Sequence, residues 1–275
     1  MKIDSQSAVL GPKCWLKPKK QLLNEHRKHV IGTKKTRRVY VDRGSSVLFV
    51  AHIDTVQEPK FFKADENRIY ASGLDDRLGC WLAWELSREL DADLLLTDYE
   101  ETGQTTIRQH EMKDYNWIVE FDRAGNDAVT YEQDSDEFKK ALAEYWPIGF
   151  GSYSDISEAK TSACCFNLGI GYELAHQKSS YVVIKTLQDQ IKKFLLFYET
   201  WKDTTFVQDE KKFVQRDDWW QCDDYQNEND LVERCELCGM YGAKLVYNWY
   251  LCEDCIESMV YERALEDEQC RFWSE

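Results

Sequence analysis

Apolar positions along this chain follow two rhythms. Short runs rich in β-branched and aromatic residues, bounded by Gly, Ser or Asp, read as strands: "RRVYVD", "SVLFV" running on to His52, "RIYAS", "DLLLT", "WIVEF", "AVTYE", "CCFNLGIGY" and "YVVI". Helical spacing appears between them. Leu78, Leu82, Leu86 and Leu90 recur every four residues with Trp81 alongside, which gives one apolar face. "SDEFKKALAEY" places Phe138, Ala141, Leu142 and Tyr145 on one stripe behind an N-cap at Asp134 or Ser135. "TLQDQIKKFLLFYETW" turns Leu187, Ile191, Phe194, Leu195 and Tyr198 inward, and "KKQLLNEHRKHV" reads as a basic helix ending before a turn at Gly32. Strands alternating with helices predict an α/β fold with a mixed, mostly parallel sheet sandwiched by helices.

Composition narrows the class. A 275-residue chain with 43% hydrophobic and 13% aromatic residues is a packed globule with room for one α/β domain and an appendage. No stretch approaches the ~20 apolar residues of a membrane span. "MKIDSQSAVLGPK" lacks the apolar core and cleavage site of a secretory signal, so an intracellular, cytoplasmic location is expected. A net charge of −15 argues against general nucleic-acid binding. The charge is uneven: residues 13–38 are strongly basic, and the region after Lys202 is mostly acidic. The basic stretch reads either as a solvated segment or as a docking surface for an acidic partner or substrate.

The chemistry lies at the ends of the strands. "AHIDTV" follows a buried run, and His52 and Asp54 two residues apart share a strand face, as a metal ligand and the carboxylate that aims it would. Asp75 comes after "RIYAS" in "GLDDRLG", Glu100 and Glu101 after "DLLLT", Asp122 after "WIVEF", and His176 after "CCFNLGIGY". Taken singly, Asp75 could cap a helix, Glu100 and Glu101 could form a solvated turn, Asp122 could pair with Arg123 or Arg77, and His176 could lie on the surface. Taken together, five strands deliver His or a carboxylate at their C-terminal ends, the edge where open α/β sheets bind ligands. Two histidines and three carboxylates suit zinc, with manganese or cobalt as further options. The doublet offers one Glu for a metal and one for proton transfer, because adjacent residues at a strand end diverge.

H-x-D, G-x-D-D-x-x-G, E-E-x-G, a late Asp and a terminal His, in this order over about residues 40–200, resemble the co-catalytic di-zinc exopeptidase clan. That clan includes leucyl and glutamyl aminopeptidases and peptidase T. The resemblance implies one metal held by His52, Asp75 and Asp122 and a second by Asp75, Glu101 and His176. Asp75 would bridge them, Glu100 would be the general base, and Asp54 would orient His52. It is the family pattern that selects Asp75 over Asp76, since spacing alone leaves both open. The short intervals between His52 and Asp75 and between "DRAGND" and "GFGSYSDIS" leave no room for the extra domain that relatives insert there. Ser154 and Asp155 are expected near the pocket as supporting or substrate-contacting groups.

Ten cysteines in a chain read as cytosolic suggest metal before disulfides. Cys235 and Cys238, then Cys252 and Cys255, form two C-x-x-C knuckles joined by a hairpin-like "AKLVYNWYL", the spacing of a structural zinc in a zinc-ribbon or treble-clef module. Cys14, Cys80, Cys164, Cys165, Cys222 and Cys270 read as core or free thiols. Nine acidic against three basic residues over 235–275 make this module a protein-docking or stabilising unit and exclude a phosphate binder. The expected organisation is a di-metal hydrolase domain over 1–202, with its basic segment in 1–40, an acidic linker over 203–230 and the tetracysteine zinc-binding module over 231–275. The expected function is amide hydrolysis by an aminopeptidase-type exopeptidase with two catalytic zinc ions and one structural zinc, acting on a peptide. The same site would serve an N-acyl amino-acid deacylase acting on acylated amino acids. A non-catalytic zinc-binding adaptor is the reading from a different class, and a full set of ligands, base and orienting Asp speaks against it.

Overall fold

The computed structural model describes residues 11–209 and two further strands, Lys244–Val246 and Trp249–Leu251. The chain divides into two units, Met1–Arg216 and Asp217–Glu275. In the first unit the strands are β1 (Val30–Ile31), β2 (Arg38–Val41), β3 (Val47–His52), β4 (Lys60–Ala64), β5 (Arg68–Ser72), β6 (Asp93–Thr97), β7 (Trp117–Arg123), β8 (Ala128–Val129), β9 (Cys164–Gly169), β10 (Tyr172–Glu173) and β11 (Tyr181–Val183). The helices are α1 (Lys19–Glu25), α2 (Leu74–Glu89), α3 (Asp136–Ala143) and α4 (Ile184–Trp201).

Seven strands form the main sheet in the order β1-β2-β6-β3-β7-β9-β8. The central four, β6, β3, β7 and β9, run parallel, while β1, β2 and β8 are antiparallel. The sheet is therefore mixed, with a parallel centre and antiparallel edges. The strand expected at "RIYAS" forms as β5, but it belongs to a second, wholly antiparallel sheet, β10-β11-β5-β4. "CCFNLGIGY" likewise breaks after Gly169, and Tyr172–Glu173 joins that second sheet. Only β3, β6 and β7 thus carry site residues at the C-terminal edge of parallel strands. Asp75 and His176 approach the same edge from the smaller sheet. β4 had no sequence signal, because its Phe61 and Phe62 are adjacent between lysines and a register shift at that point breaks the alternation.

Alternation along the strands divides the core. Val47, Phe49 and Ala51 of β3 point to one face with Leu94 and Leu96 of β6, and all four helices pack there through Leu22, Leu78, Leu82, Leu86, Phe138, Leu142, Leu187, Ile191 and Phe194. Leu48, Val50, Leu95 and Ile118 point to the other face, which is covered by two 3-10 turns, Thr106–Gln109 and Asp155–Glu158, with Ile107 and Ile156 as their apolar contacts. The expected sandwich of helices is corrected on this point: among the described residues, helices cover one face and short turns the other. The helical side is dense in aromatics, with Phe194 edge-on to Phe49, Trp117 and Phe121.

Residues 203–209 still belong to the first unit, which extends past Lys202, where composition placed its end. Phe206 is buried against Phe138 and Trp201, and its carbonyl accepts the Cys164 N–H at 2.9 Å. In the second unit, Lys244–Val246 (β12) and Trp249–Leu251 (β13) pair antiparallel, so the expected hairpin forms. Cys235, Cys238, Cys252 and Cys255 lie outside the described residues. No described helix is long and apolar enough to cross a membrane.

The aromatic cluster generates a stability prediction. Phe194→Ala removes a fully buried ring that meets four other aromatics, and should cost about 3–5 kcal/mol in urea denaturation with little change in slope.

Candidate metal centre

His52 ends β3 opposite Thr97 of β6 and is fully buried. Its Nδ1 lies 3.1 Å from the backbone carbonyl of Asp54 and 3.5 Å from Asp54 Oδ1. Its Nε2 faces the other way, 3.2 Å from Asp75 Oδ1, 3.4 Å from Asp122 Oδ1 and 3.8 Å from Glu100 Oε2. His176 Nε2 lies 3.1 Å from Asp75 Oδ2 and 3.1 Å from Glu101 Oε2. Two triads result, His52-Asp75-Asp122 and Asp75-Glu101-His176, each with its ligand atoms within 4.8 Å of one another. Asp75 belongs to both, with one oxygen toward each histidine.

Asp75 is free for this because Asp76 takes the structural work. Both aspartates depart from helical angles at the start of α2, where Asp76 Oδ1 accepts the Gly79 N–H at 3.0 Å and Oδ2 accepts the His52 N–H at 3.0 Å. Asp76 therefore caps the helix and ties it to β3, and Asp75 caps nothing. A Cβ on Gly79 would collide with Asp76 Oδ1 and the Phe121 carbonyl, so the last glycine of the G-x-D-D-x-x-G phrase admits this close approach.

Asp122 sits where β7 slips register against β9, between Glu120 and Arg123. Asn167 repairs the ladder there: its Oδ1 accepts the Asp122 N–H at 3.0 Å and its Nδ2 donates to the Asp122 carbonyl at 2.8 Å. The Tyr172 hydroxyl donates to Asp122 Oδ1 at 3.4 Å. Arg123 pairs with Asp127 instead, at 2.7 Å. Sequence reasoning missed Asn167 and Tyr172, although a polar Asn inside the apolar run "CCFNLG" was a usable signal.

Glu100 and Glu101 open a 3-10 turn after Tyr99, whose φ of 67° makes the chain reverse sharply. The Asp54 carboxylate accepts both their backbone N–H groups, at 3.2 and 3.1 Å. Asp54 thus fixes the doublet as well as facing His52. Ser154 and Asp155 are buried supports: Ser154 donates to Glu120, and Asp155 accepts from Thr97 at the end of β6.

This crowd of acids shifts its own protonation. Burial lifts Glu100 to about 9 against the pull of His52, with Asp122, Asp155 and Glu101 adding to the rise. Burial likewise lifts Asp122 to about 7 and Asp155 to about 6, again against His52. Hydrogen bonds to Asp75 and Glu101 raise His176 to about 10. For Asp75 burial works upward, but both histidines outweigh it and hold the carboxyl low. Among the buried side-chain atoms without a hydrogen-bond partner, two belong to the triads, His52 Nε2 and Glu101 Oε1. An imidazole nitrogen and a carboxylate oxygen left bare among converging carboxylates fit a divalent cation.

A tripeptidase from Staphylococcus aureus has the same fold, with a TM-score of 0.53 at 12% identity over 72% of this chain and 99% of the tripeptidase. The fold is shared. An aminopeptidase from the archaeon Desulfurococcus kamchatkensis (TM-score 0.47, 13% identity, 73% of this chain and 96% of that one) and the aminopeptidase PepT from Bacillus cereus (0.45, 11%, 71% and 98%) are also similar. No family model matches the sequence, and no curated protein matches it.

The raised groups predict how the metal-free protein responds to pH. Glu100, Asp122 and Asp155 hold protons in the folded state that they lose when unfolded, so their contribution falls as pH rises from about 4 toward 9. His176 acts in the same direction between 6.5 and about 10. Under chelation the denaturation midpoint should therefore be lower at pH 8.5 than at pH 5.5, and a saturating divalent cation should remove the difference. A midpoint that rises with pH in chelator would contradict this account.

Proposed function

We propose that the chain is a metal-dependent exopeptidase of the aminopeptidase type, acting on peptides through two divalent ions, with zinc the metal that best suits the donors. The observation that carries this reading is Asp75 shared between two histidine-carboxylate triads. His52, Asp75 and Asp122 would hold one ion, and Asp75, Glu101 and His176 the other. Ions so held would polarise the scissile carbonyl and make water acidic near neutral pH.

Glu100 belongs to neither triad, and its carboxylate stands at the edge of the first, 3.8 Å from His52 Nε2. It takes the proton of the attacking water and delivers it to the leaving amine. Asp54 keeps His52 in the tautomer with Nε2 bare and holds the Glu100-Glu101 turn in place through the two backbone N–H groups. Asn167 and Tyr172 hold Asp122. The fold shared with a tripeptidase supports the peptide as substrate. The same groups would cleave an N-acyl amino acid, and a panel of free, N-blocked and C-blocked peptides separates the two activities. The tetracysteine module would hold one further, structural zinc and offer a protein-docking surface.

Glu100→Gln should lower kcat by about 10²–10⁴-fold while metal content stays at the wild-type level. Loss of metal together with activity would make Glu100 a ligand instead. Metal analysis of the native chain should find three ions, and a mild chelator should remove two of them, with all activity, before the third. Simultaneous release of all three would contradict two kinds of site.

A further inference from the structure

The basic segment lies beside the catalytic turn. β2 runs antiparallel to β6 with Val39 opposite Leu96, so β2 begins at the edge where β6 ends and where Glu100 and Glu101 follow. The turn joining β1 to β2 therefore projects from the same edge as the metal centre. It is a built turn: the Thr36 N–H donates to the Thr33 carbonyl at 3.0 Å, the Thr33 N–H donates to Thr36 Oγ1 at 2.9 Å, and the two hydroxyls lie 3.2 Å apart. Gly32, at φ 83°, admits the Thr36 carbonyl where a Cβ would collide with it. The two residues at its tip are Lys34 and Lys35, both exposed.

Two contacts bind this segment to the turn of the catalytic doublet. The Tyr99 hydroxyl donates to the Lys34 carbonyl at 3.3 Å, and Lys19 Nζ bonds Asp98 at 2.8 Å while lying 4.9 Å from the centre of the Tyr99 ring. Lys19 is thus used in positioning. Lys34, Lys35 and the half-buried Arg37 are not: none has a carboxylate within 4 Å among the described residues. Over residues 13–38 the chain carries ten Lys and Arg against one Glu, within a protein of net charge −15. Cations without an ion-pair partner, carried on a braced turn at the sheet edge of an anion-rich centre, attract an anionic group on a substrate.

Resting on the peptidase reading, we propose that the Thr33–Thr36 turn is a specificity element that selects peptides with acidic side chains. β2 and β3 are separated by β6, so the turn lies about 10 Å sideways from the strand of His52. An extended peptide advances about 3.3 Å per residue, which places the selected Asp or Glu about three residues from the cleaved bond.

The test pairs turnover with binding on the full chain. Peptides of one length carrying Glu or Gln at that position are compared at low salt, with Lys34→Ala/Lys35→Ala and with Lys140→Ala/Lys192→Ala as a control of equal charge loss. Wild type should favour the Glu peptide about tenfold in kcat/KM, mostly through KM. The preference should collapse in 0.5 M salt, vanish in the turn variant and persist in the control. Equal preference in wild type and turn variant overturns the proposal, as does an RNA oligonucleotide of the same charge that binds the turn more tightly than the Glu peptide. Fluorescence anisotropy of the labelled Glu peptide on the Glu100→Gln chain reads recognition without turnover. Charge-dependent binding there, with no wild-type cleavage of any peptide, overturns the peptidase reading alone.

Discussion

Asp75 facing two histidines is the contact on which the site depends, and it exists because its neighbour is occupied. Eight carboxylates, those of Asp54, Asp75, Asp76, Glu100, Glu101, Glu120, Asp122 and Asp155, crowd one sheet edge, where each unpaired ionised group costs on the order of several kcal/mol to withdraw from water. The fold deals with some of them by backbone and hydroxyl donors. Asp76 takes the N–H groups of His52 and Gly79, Asp54 those of Glu100 and Glu101, and Asp155 the Thr97 hydroxyl. In the set around His52 and His176 an imidazole nitrogen and a carboxylate oxygen are left bare, as is one oxygen each of Glu120 and Asp155. Stability and function meet there, because the groups that burden the fold are the ones that would hold cations.

The division of labour within each acidic pair was beyond the reach of spacing. Asp75 and Asp76 are adjacent and chemically alike, and only the non-helical angles at both positions turn one toward backbone donors and the other toward the histidines. Glu100 and Glu101 were readable as a pair with two jobs, because neighbouring residues diverge at a strand end. The agent that fixes them, Asp54 reaching from the loop after β3, was legible only as a partner of His52. Its second task required knowing that β3 and β6 are neighbours in register.

Strands were legible wherever apolar runs were continuous, as at "DLLLT" and "SVLFV", since burial on both faces writes itself into sequence. Which sheet each strand joins was not, because β5 carries the same local signal whether it lies in a parallel sheet or an antiparallel one. The consequence is functional. Asp75 and His176 hang from the smaller sheet while His52, Glu101 and Asp122 hang from the larger, so each triad spans both sheets and is complete only when the two meet. The helices were likewise readable as amphipathic, but their common side was not. With helices on one face, the other is closed by the short turns that bring in Ser154 and Asp155.

The antiparallel edge of the main sheet has a consequence that a parallel one would lack. A parallel strand added beside β6 would begin at the opposite edge and send its preceding turn away from the metal centre. Because β2 runs against β6, the connection that enters it must emerge beside Tyr99, and whatever side chains that connection carries become part of the rim. A neutral turn there would leave the mouth dominated by the carboxylates within. Two lysines at its tip, on a turn closed by paired threonines and anchored by a tyrosine hydroxyl, place part of the basic segment beside the carboxylate-rich sheet edge. Strand direction, a property of topology, thereby decides which edge of the sheet those side chains join.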